Sequence, residues 1–289
     1  MKPYIDPKRL SPALKMLVKA PRALTANLRL LPDFIIIGAQ RCGTTSLHRY
    51  LTEHPCIAPA FRKEVHFFDK NFPKGPAWYR EHFPSRLYKH YLKKVHGREM
   101  ITGEASVYYM FHPLPAERVA QLLPRVKLIA LLRNPVDRAY SHYHHEARKG
   151  RETLPFEEAV EKEQERLGGE REKILASDGK YESFPYRRYS YLARGAYAEQ
   201  LQQWLRWFPV EQILLLRSED FNRDPATVLA HTLRFLGVPD DWRPQDYPKY
   251  NSAAYSPMAP ATRNRLRAYF APHNQRLQEL TGRNFGWDQ

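Results

Sequence analysis

The segment Gly38-Ala39-Gln40-Arg41-Cys42-Gly43-Thr44-Thr45-Ser46 carries the strongest chemical pattern in the chain. Its glycines and hydroxyl residues lead into Leu47, Tyr50 and Leu51 at helical spacing, which predicts a tight loop opening a helix. The backbone N–H groups and dipole of such a helix start form a site for an anion, and for a phosphate in particular. The glycine frame matches that of a nucleotide P-loop, except that Thr44 stands where that motif has Lys and Arg41 is the cation the loop supplies. No acidic strand-end motif that would hold magnesium accompanies it, so no metal is expected.

A second candidate pair lies further on. Arg133 closes the apolar run Val126–Leu132, at the carboxyl edge of a strand, where α/β proteins bind ligands. Ser141 follows eight residues later on the next helix, close enough to converge with Arg133 on one phosphate. The competing reading of Arg133 is a salt bridge to Asp137, and Arg138 is expected to face solvent or to support the loop. His142 and Glu146 share a helix face at i, i+4, a spacing that can hold a metal. The histidines 142, 144 and 145 are instead expected to be solvated or at the core edge, and Cys42 to be a small packing residue.

These residues need a frame. Phe34–Ile37 reads as a buried strand, followed by a helix that closes before Pro55. Val126–Leu132 and Gln212–Leu216 read as two more strands, each followed by a helix, the first starting near Pro135 and the second at Asp224-Pro225. Further helix is expected over the charged stretch 156–173, over 196–207, and over 260–280 with Gly282 as the stop. A Tyr-rich loop spans 181–191. Strands alternating with helices predict an α/β fold of three layers, a central parallel β-sheet flanked by helices. The chain divides into a basic N-terminal arm, 1–32, and one domain, 33–289.

Composition narrows the function. With 43% hydrophobic and 27% charged residues the chain is globular material, and its longest apolar runs fall far short of the roughly 20 residues of a membrane helix. Two cysteines without a C-x-x-C pair exclude a disulfide scaffold or a cysteine-rich zinc site, and fit a cytoplasmic location. The N-terminus shows no signal-peptide pattern. Forty-six Lys and Arg against 31 Asp and Glu leave a formal charge of +15, which calls for an anionic ligand. Residues 1–32 hold seven of those cations and one acid, with Leu14, Leu17 and Val18 among them, so a weak contact with the inner face of the membrane is one expectation for the arm.

Four blocks in order carry a resemblance. Ile36 to Leu47 and then Lys63-Glu64-Val65-His66-Phe67-Phe68-Asp69 resemble the 5′-phosphosulfate site and catalytic segment of the PAPS-dependent sulfotransferases, in particular the heparan-sulfate type and its bacterial relatives. Lys127 to Tyr143 resembles their 3′-phosphate segment, and Leu266 to Trp287 their C-terminus. The resemblance implies transfer of a sulfuryl group from 3′-phosphoadenosine 5′-phosphosulfate, leaving 3′,5′-ADP, with no metal required.

By that resemblance, Gln40, Arg41, Cys42, Gly43, Thr44, Thr45 and Ser46 hold the 5′-phosphosulfate, and Arg41, where the family usually has Lys, is the catalytic cation that neutralises the leaving oxygen by charge and hydrogen bonding. Glu64 matches the general base that an acceptor hydroxyl needs. His66 would share a strand face with Glu64 if that stretch is extended, and would orient Glu64 or the acceptor. Arg133 and Ser141 match the 3′-phosphate contacts, Tyr197 an aromatic near the nucleotide, and Asn251 and Ser252 fall in a loop over it. Gly103-Glu104-Ala105-Ser106 lacks the Lys that the heparan-sulfate enzymes place after the Glu, which argues against a heparan-like acceptor. The implied acceptor is a small molecule, carbohydrate or lipid. The rival readings are a P-loop nucleotide-dependent kinase and a non-catalytic basic protein on membrane or nucleic acid. No sequence-specific nucleic-acid motif is present.

Overall fold

The computed structural model describes residues 21–250 and 254–287, apart from Arg98. Five strands, β1 (Phe34–Gly38), β2 (Ile57–Pro59), β3 (Ile101–Ala105), β4 (Lys127–Leu132) and β5 (Ile213–Arg217), form one parallel sheet in the order β2-β3-β1-β4-β5. The helices of eight residues or more are α1 (Thr44–Glu53), α2 (Arg86–His96), α3 (Pro115–Leu122), α4 (Pro135–Ala147), α5 (Tyr197–Leu205), α6 (Pro225–Leu236) and α7 (Pro260–Thr281).

Helices cover both faces of the sheet, which is why the central strands are nearly continuous apolar runs. Every residue of β1 is buried, as are Leu128–Leu132 of β4, and these strands form the middle of the main core. At Gly103 a Cβ would sit 2.5 Å from the Phe34 ring, so glycine is required for the two strands to pack in register. From β1 the chain goes to β2 and β3 on one side and then to β4 on the other. The crevice at the carboxyl ends of β1 and β4 is therefore the topological switch point of the sheet, the usual ligand position in an open α/β fold.

The three expected strands and the helices after them are present. Asp224 caps α6 by accepting from Thr227 N, and Gly282 ends α7 with φ 66°. The expected charged helix over 156–173 is three short helices, Phe156–Glu161, Glu163–Leu167 and Glu170–Ala176, broken at Lys162 and at Gly168-Gly169. The Tyr-rich segment contains a helical turn at Phe184–Arg188. Residues 1–20 of the arm lie outside the described residues. The rest of the arm is tied to the body: Arg22 donates to the carbonyls of Glu81 and Phe83, and Leu30 N to Pro84 O.

Candidate active site

The loop after β1 ends at Gly43, the N-cap of α1, with φ 92°, a left-handed conformation that disfavours any residue with a Cβ. Gly43 offers no side-chain acceptor to the first turn of α1. A cavity of about 280 Å³ opens over that helix start. Arg41, Gly43, Thr44, Thr45, Ser46, Arg133 and Ser141 all line it, so seven residues singled out in the sequence meet in one place.

The two basic residues are oriented by the loop. Arg41 Nε donates to Ser141 Oγ at 3.1 Å, and Arg133 Nη1 donates to the Arg41 carbonyl at 3.4 Å. Burial, with Arg148 and Arg133 nearby, works against the charge of Arg41, so this corner gathers positive charge in a partly desolvated place. Such an arrangement is stabilised by an anion. Arg133 does not pair with Asp137, which is held by Arg263 at 2.9 Å. Contrary to the solvent-facing expectation, Arg138 is fully buried and donates to Tyr191 O.

Gln40 and Cys42 of the loop, and Tyr197, do not line the cavity. Gln40 Oε1 accepts from Arg194, and Tyr197 donates to Arg133 O at 2.8 Å, with its oxygen 4.0 Å from Cys42 Sγ. Burial pushes the Cys42 thiol up to about 11, so it is an inert packing group. The opposite wall is aromatic, with Tyr50, Phe221 and Tyr247 in contact, and Lys249 and Tyr255 complete the rim. Tyr250 N donates to Ser46 Oγ, which ties this rim to α1. Asn251 and Ser252 lie outside the described residues.

Beside the phosphate loop stands the carboxylate segment. Lys63 Nζ donates to Thr45 Oγ1 at 2.8 Å and lies 3.4 Å from Glu64 Oε1. Glu64 Oε2 lies 3.4 Å from His66 Nε2, and His66 Nδ1 lies 2.7 Å from Asp69 Oδ2. The condition for a shared strand face is not met: His66 has φ 55° and leads into a helical turn, Phe67–Asn71, which brings Asp69 to its ring. Burial disfavours the charge of His66, but the hydrogen bonds to Asp69 and then Glu64 outweigh it and raise its pKa to about 9. Partial burial likewise opposes the charge of Glu64, yet His66 and Lys63 hold its pKa down to about 2. At neutral pH this is a carboxylate, imidazolium, carboxylate row. Arg187 Nη2 stands 3.3 Å from His66 Nε2, the nitrogen that faces Glu64, and Glu182 lies 3.5 Å from Arg187.

The segment is fixed from below by Glu104, a fully buried carboxyl on β3. It accepts from Tyr79 and Tyr109 on one oxygen and from Ser106 and Val65 N on the other. Ser106 also accepts from His66 N. Lys63, Asp69 and Glu104 therefore belong to the site although the residue patterns gave them no role. Lys63 and Asp69 sit within the motif that carried the resemblance, and only the loop-back through Thr45 and His66 reveals what they touch. His142 and Glu146, the metal-spaced pair, are both fully buried rather than solvated, 4.0 Å apart, with Arg151 and Arg188 beside the carboxylate. Among the described residues no group of three or more metal-ligating side chains occurs.

A phosphate loop, an aromatic wall and a carboxylate on a short tether describe a group-transfer enzyme, and the comparisons identify the class. The family model of the sulfotransferase domain matches residues 31–254, so the chain belongs to the sulfotransferase family and is a transferase. It is 29% identical to the membrane-associated sulfotransferase kil1 of Dictyostelium discoideum, over 90% of this chain and 67% of that protein. It is also 29% identical to mouse heparan sulfate glucosamine 3-O-sulfotransferase 3B1, over 91% of this chain and 66% of that one. The crystal structure of a sulfotransferase from Alicyclobacillus acidocaldarius is 36% identical and superposes with a TM-score of 0.68, covering 90% of this chain and all of that one. The chain spans about two thirds of the length of the two curated relatives.

Proposed function

We propose that this sulfotransferase takes its sulfuryl group from 3′-phosphoadenosine 5′-phosphosulfate and that Glu64 removes the acceptor proton. The observation that carries the reading is the tether itself. Lys63 joins Thr45 of the phosphate loop to Glu64, so donor phosphate and acceptor base are held within one side chain of each other.

In this reading the amides of Gly43 to Ser46 hold the 5′-phosphate, Arg41, Arg133 and Ser141 hold the 3′-phosphate, and the Tyr50, Phe221 and Tyr247 wall receives the purine. Glu64 accepts the proton of the attacking hydroxyl or amine as its oxygen or nitrogen bonds to sulfur. The bond from sulfur to the bridging oxygen breaks, and its electrons stay on the 5′-phosphate of 3′,5′-ADP. Lys63 and the loop amides stabilise that charge, which is the main demand of a loose in-line transfer. His66, backed by Asp69, keeps Glu64 ionised and aimed.

The acceptor is a carbohydrate, lipid or small molecule bearing a hydroxyl or amine. No helix among the described residues is long and apolar enough to cross a membrane, and the reading is of a cytoplasmic protein organised as a basic arm over 1–32 and a catalytic domain over 33–289. Glu64→Gln tests the base. Turnover should fall about 10²–10⁴-fold while 3′,5′-ADP still raises the melting temperature, and full activity in the variant would refute the assignment.

A further inference from the structure

Arg194 is a buried cation whose hydrogen-bond partners are all neutral. It stands in the turn Ala193–Gly195, just ahead of α5. Its Nη1 donates to Gln40 Oε1, its Nε to Ser190 Oγ at 2.7 Å, and its Nη2 to the carbonyls of Arg187 at 2.8 Å and Tyr186 at 3.5 Å. The guanidinium carbon lies 4.8 Å and 4.9 Å from the ring centroids of Tyr108 and Phe111, which follow β3. Burial lowers its pKa to about 10, so the group is charged at neutral pH. The turn itself is anchored by Glu163, a buried carboxyl that accepts from Leu192 N at 2.6 Å and from Ala193 N at 2.8 Å.

These contacts join two parts of the site. Gln40 belongs to the phosphate loop, immediately ahead of Arg41, whereas Arg187 reaches the carboxylate segment, with its Nη2 3.3 Å from the His66 nitrogen that faces Glu64. Arg187 is held at both ends: its carbonyl by Arg194, and its guanidinium 5.3 Å over the Tyr108 ring that Arg194 also covers. The phosphate loop thus reaches Glu64 from two sides, from Thr45 through Lys63, and from Gln40 through Arg194, Arg187 and His66. A planar guanidinium with five donors can serve all these acceptors at once, which an ammonium cannot.

We propose that Arg194 is a positioning residue that couples occupancy of the phosphate loop to the placement of residues 184–190 beside His66 and Glu64. The inference rests on the reading that the loop takes a phosphorylated donor. A donor phosphate fixes the loop, and Gln40 with it, while its negative charge favours the buried guanidinium. The bonded arrangement of Arg194 and the bound donor therefore stabilise each other. Residues 184–190 do not line the cavity over α1, so a nucleotide acts on them through the protein and not by contact. A purely structural clasp would hold them equally with and without nucleotide.

Hydrogen exchange of the full chain, read by mass spectrometry with and without saturating 3′,5′-ADP, tests it. In the parent, peptides covering 40–46 and 184–190 should both exchange more slowly with the nucleotide, the second by about tenfold, the worth of one charge-assisted hydrogen bond. Gln40→Met removes the acceptor from Arg194 while keeping the side-chain length. It should retain the nucleotide effect on 40–46 and lose the effect on 184–190. Arg194→Lys should lose it too, because an ammonium cannot hold Gln40 and both carbonyls together. Slowed exchange of 40–46 without 184–190 in the parent, or a nucleotide effect on 184–190 that survives in Gln40→Met, would overturn the coupling and leave the donor reading standing. No nucleotide effect on 40–46 would remove the donor reading, and this inference with it.

Discussion

Lys63 and Thr45 are joined by a 2.8 Å hydrogen bond across 18 residues of sequence, and the same ammonium lies 3.4 Å from Glu64. Arg41, the cation within the loop, is turned the other way, toward Ser141. The two basic residues thus divide the site: one stands by the carboxylate and the loop hydroxyl, the other by the end of the cavity formed by Arg133 and α4.

That division predicts different kinetic signatures. Lys63→Met should lower kcat by about 10²–10³-fold, the usual effect of removing a group that stabilises developing charge, with little change in 3′,5′-ADP affinity. Arg41→Met should chiefly weaken nucleotide binding. Steady-state kinetics together with calorimetric titration of 3′,5′-ADP would show the split, and the reverse pattern would mean that Arg41 serves the leaving oxygen after all.

His66 gives the protein a pH signature. Its pKa rises from an ordinary 6.5 to about 9 on folding, so its contribution to stability is complete below pH 6.5 and is lost as pH rises through 9. Glu64 provides the opposite limb: lowered from 4.5 to about 2, it contributes above pH 4.5 and ceases to as pH falls through about 2. Urea unfolding of the parent and of His66→Asn between pH 6 and pH 10 should therefore show a stability gap that narrows across about 6.5 to 9. A constant gap would place the neutral imidazole in the folded state.

Glu104 is expected to be structural in effect and catalytic in consequence. Its carboxyl is fully buried and accepts from four donors. Glu104→Ala should cost about 3–5 kcal/mol of stability, because those donors are left buried without an acceptor. Chemical denaturation measures this, and a loss below about 1 kcal/mol would show that water replaces the carboxyl. Glu104→Gln, which keeps one acceptor, should be milder in stability yet still reduce turnover through the displaced Val65 and His66.

The parts of the architecture that depend on local pattern were legible in the sequence. The β1 loop, the β4 end at Arg133 and the caps at Asp224 and Gly282 follow from apolar runs and from glycine and proline positions. The edge strand β2 was not, because a three-residue strand gives no period. Nor was β3, where Gly103 and Glu104 interrupt the apolar signal for reasons of packing and hydrogen bonding that appear only across strands. In the site, the cavity residues near α1 were readable because one loop delivers most of them. The bond between Lys63 and Thr45 and the aromatic wall from α1, Phe221 and Tyr247 arise from long-range contacts that no spacing encodes, and the pairing of His66 with Asp69 depends on a left-handed residue at His66 that its side-chain type does not announce.

Arg133 should act as a selectivity residue. It lines the cavity beside Ser141, and Arg133→Met should reduce 3′,5′-ADP affinity by about 10–100-fold, the worth of a charge-assisted contact, while affecting AMP much less. Equal losses for both nucleotides would move Arg133 away from the 3′-phosphate.

The central claim, that the cavity over α1 is a 3′-phosphoadenosine site, is tested most directly by thermal shift without magnesium, comparing 3′,5′-ADP, 5′-ADP, AMP and ATP at equal concentration. A ligand at a hundred times its dissociation constant adds about 2.7 kcal/mol, a shift easily read in the melting temperature. Selective stabilisation by 3′,5′-ADP is the predicted result. Equal or greater stabilisation by ATP or 5′-ADP would contradict it.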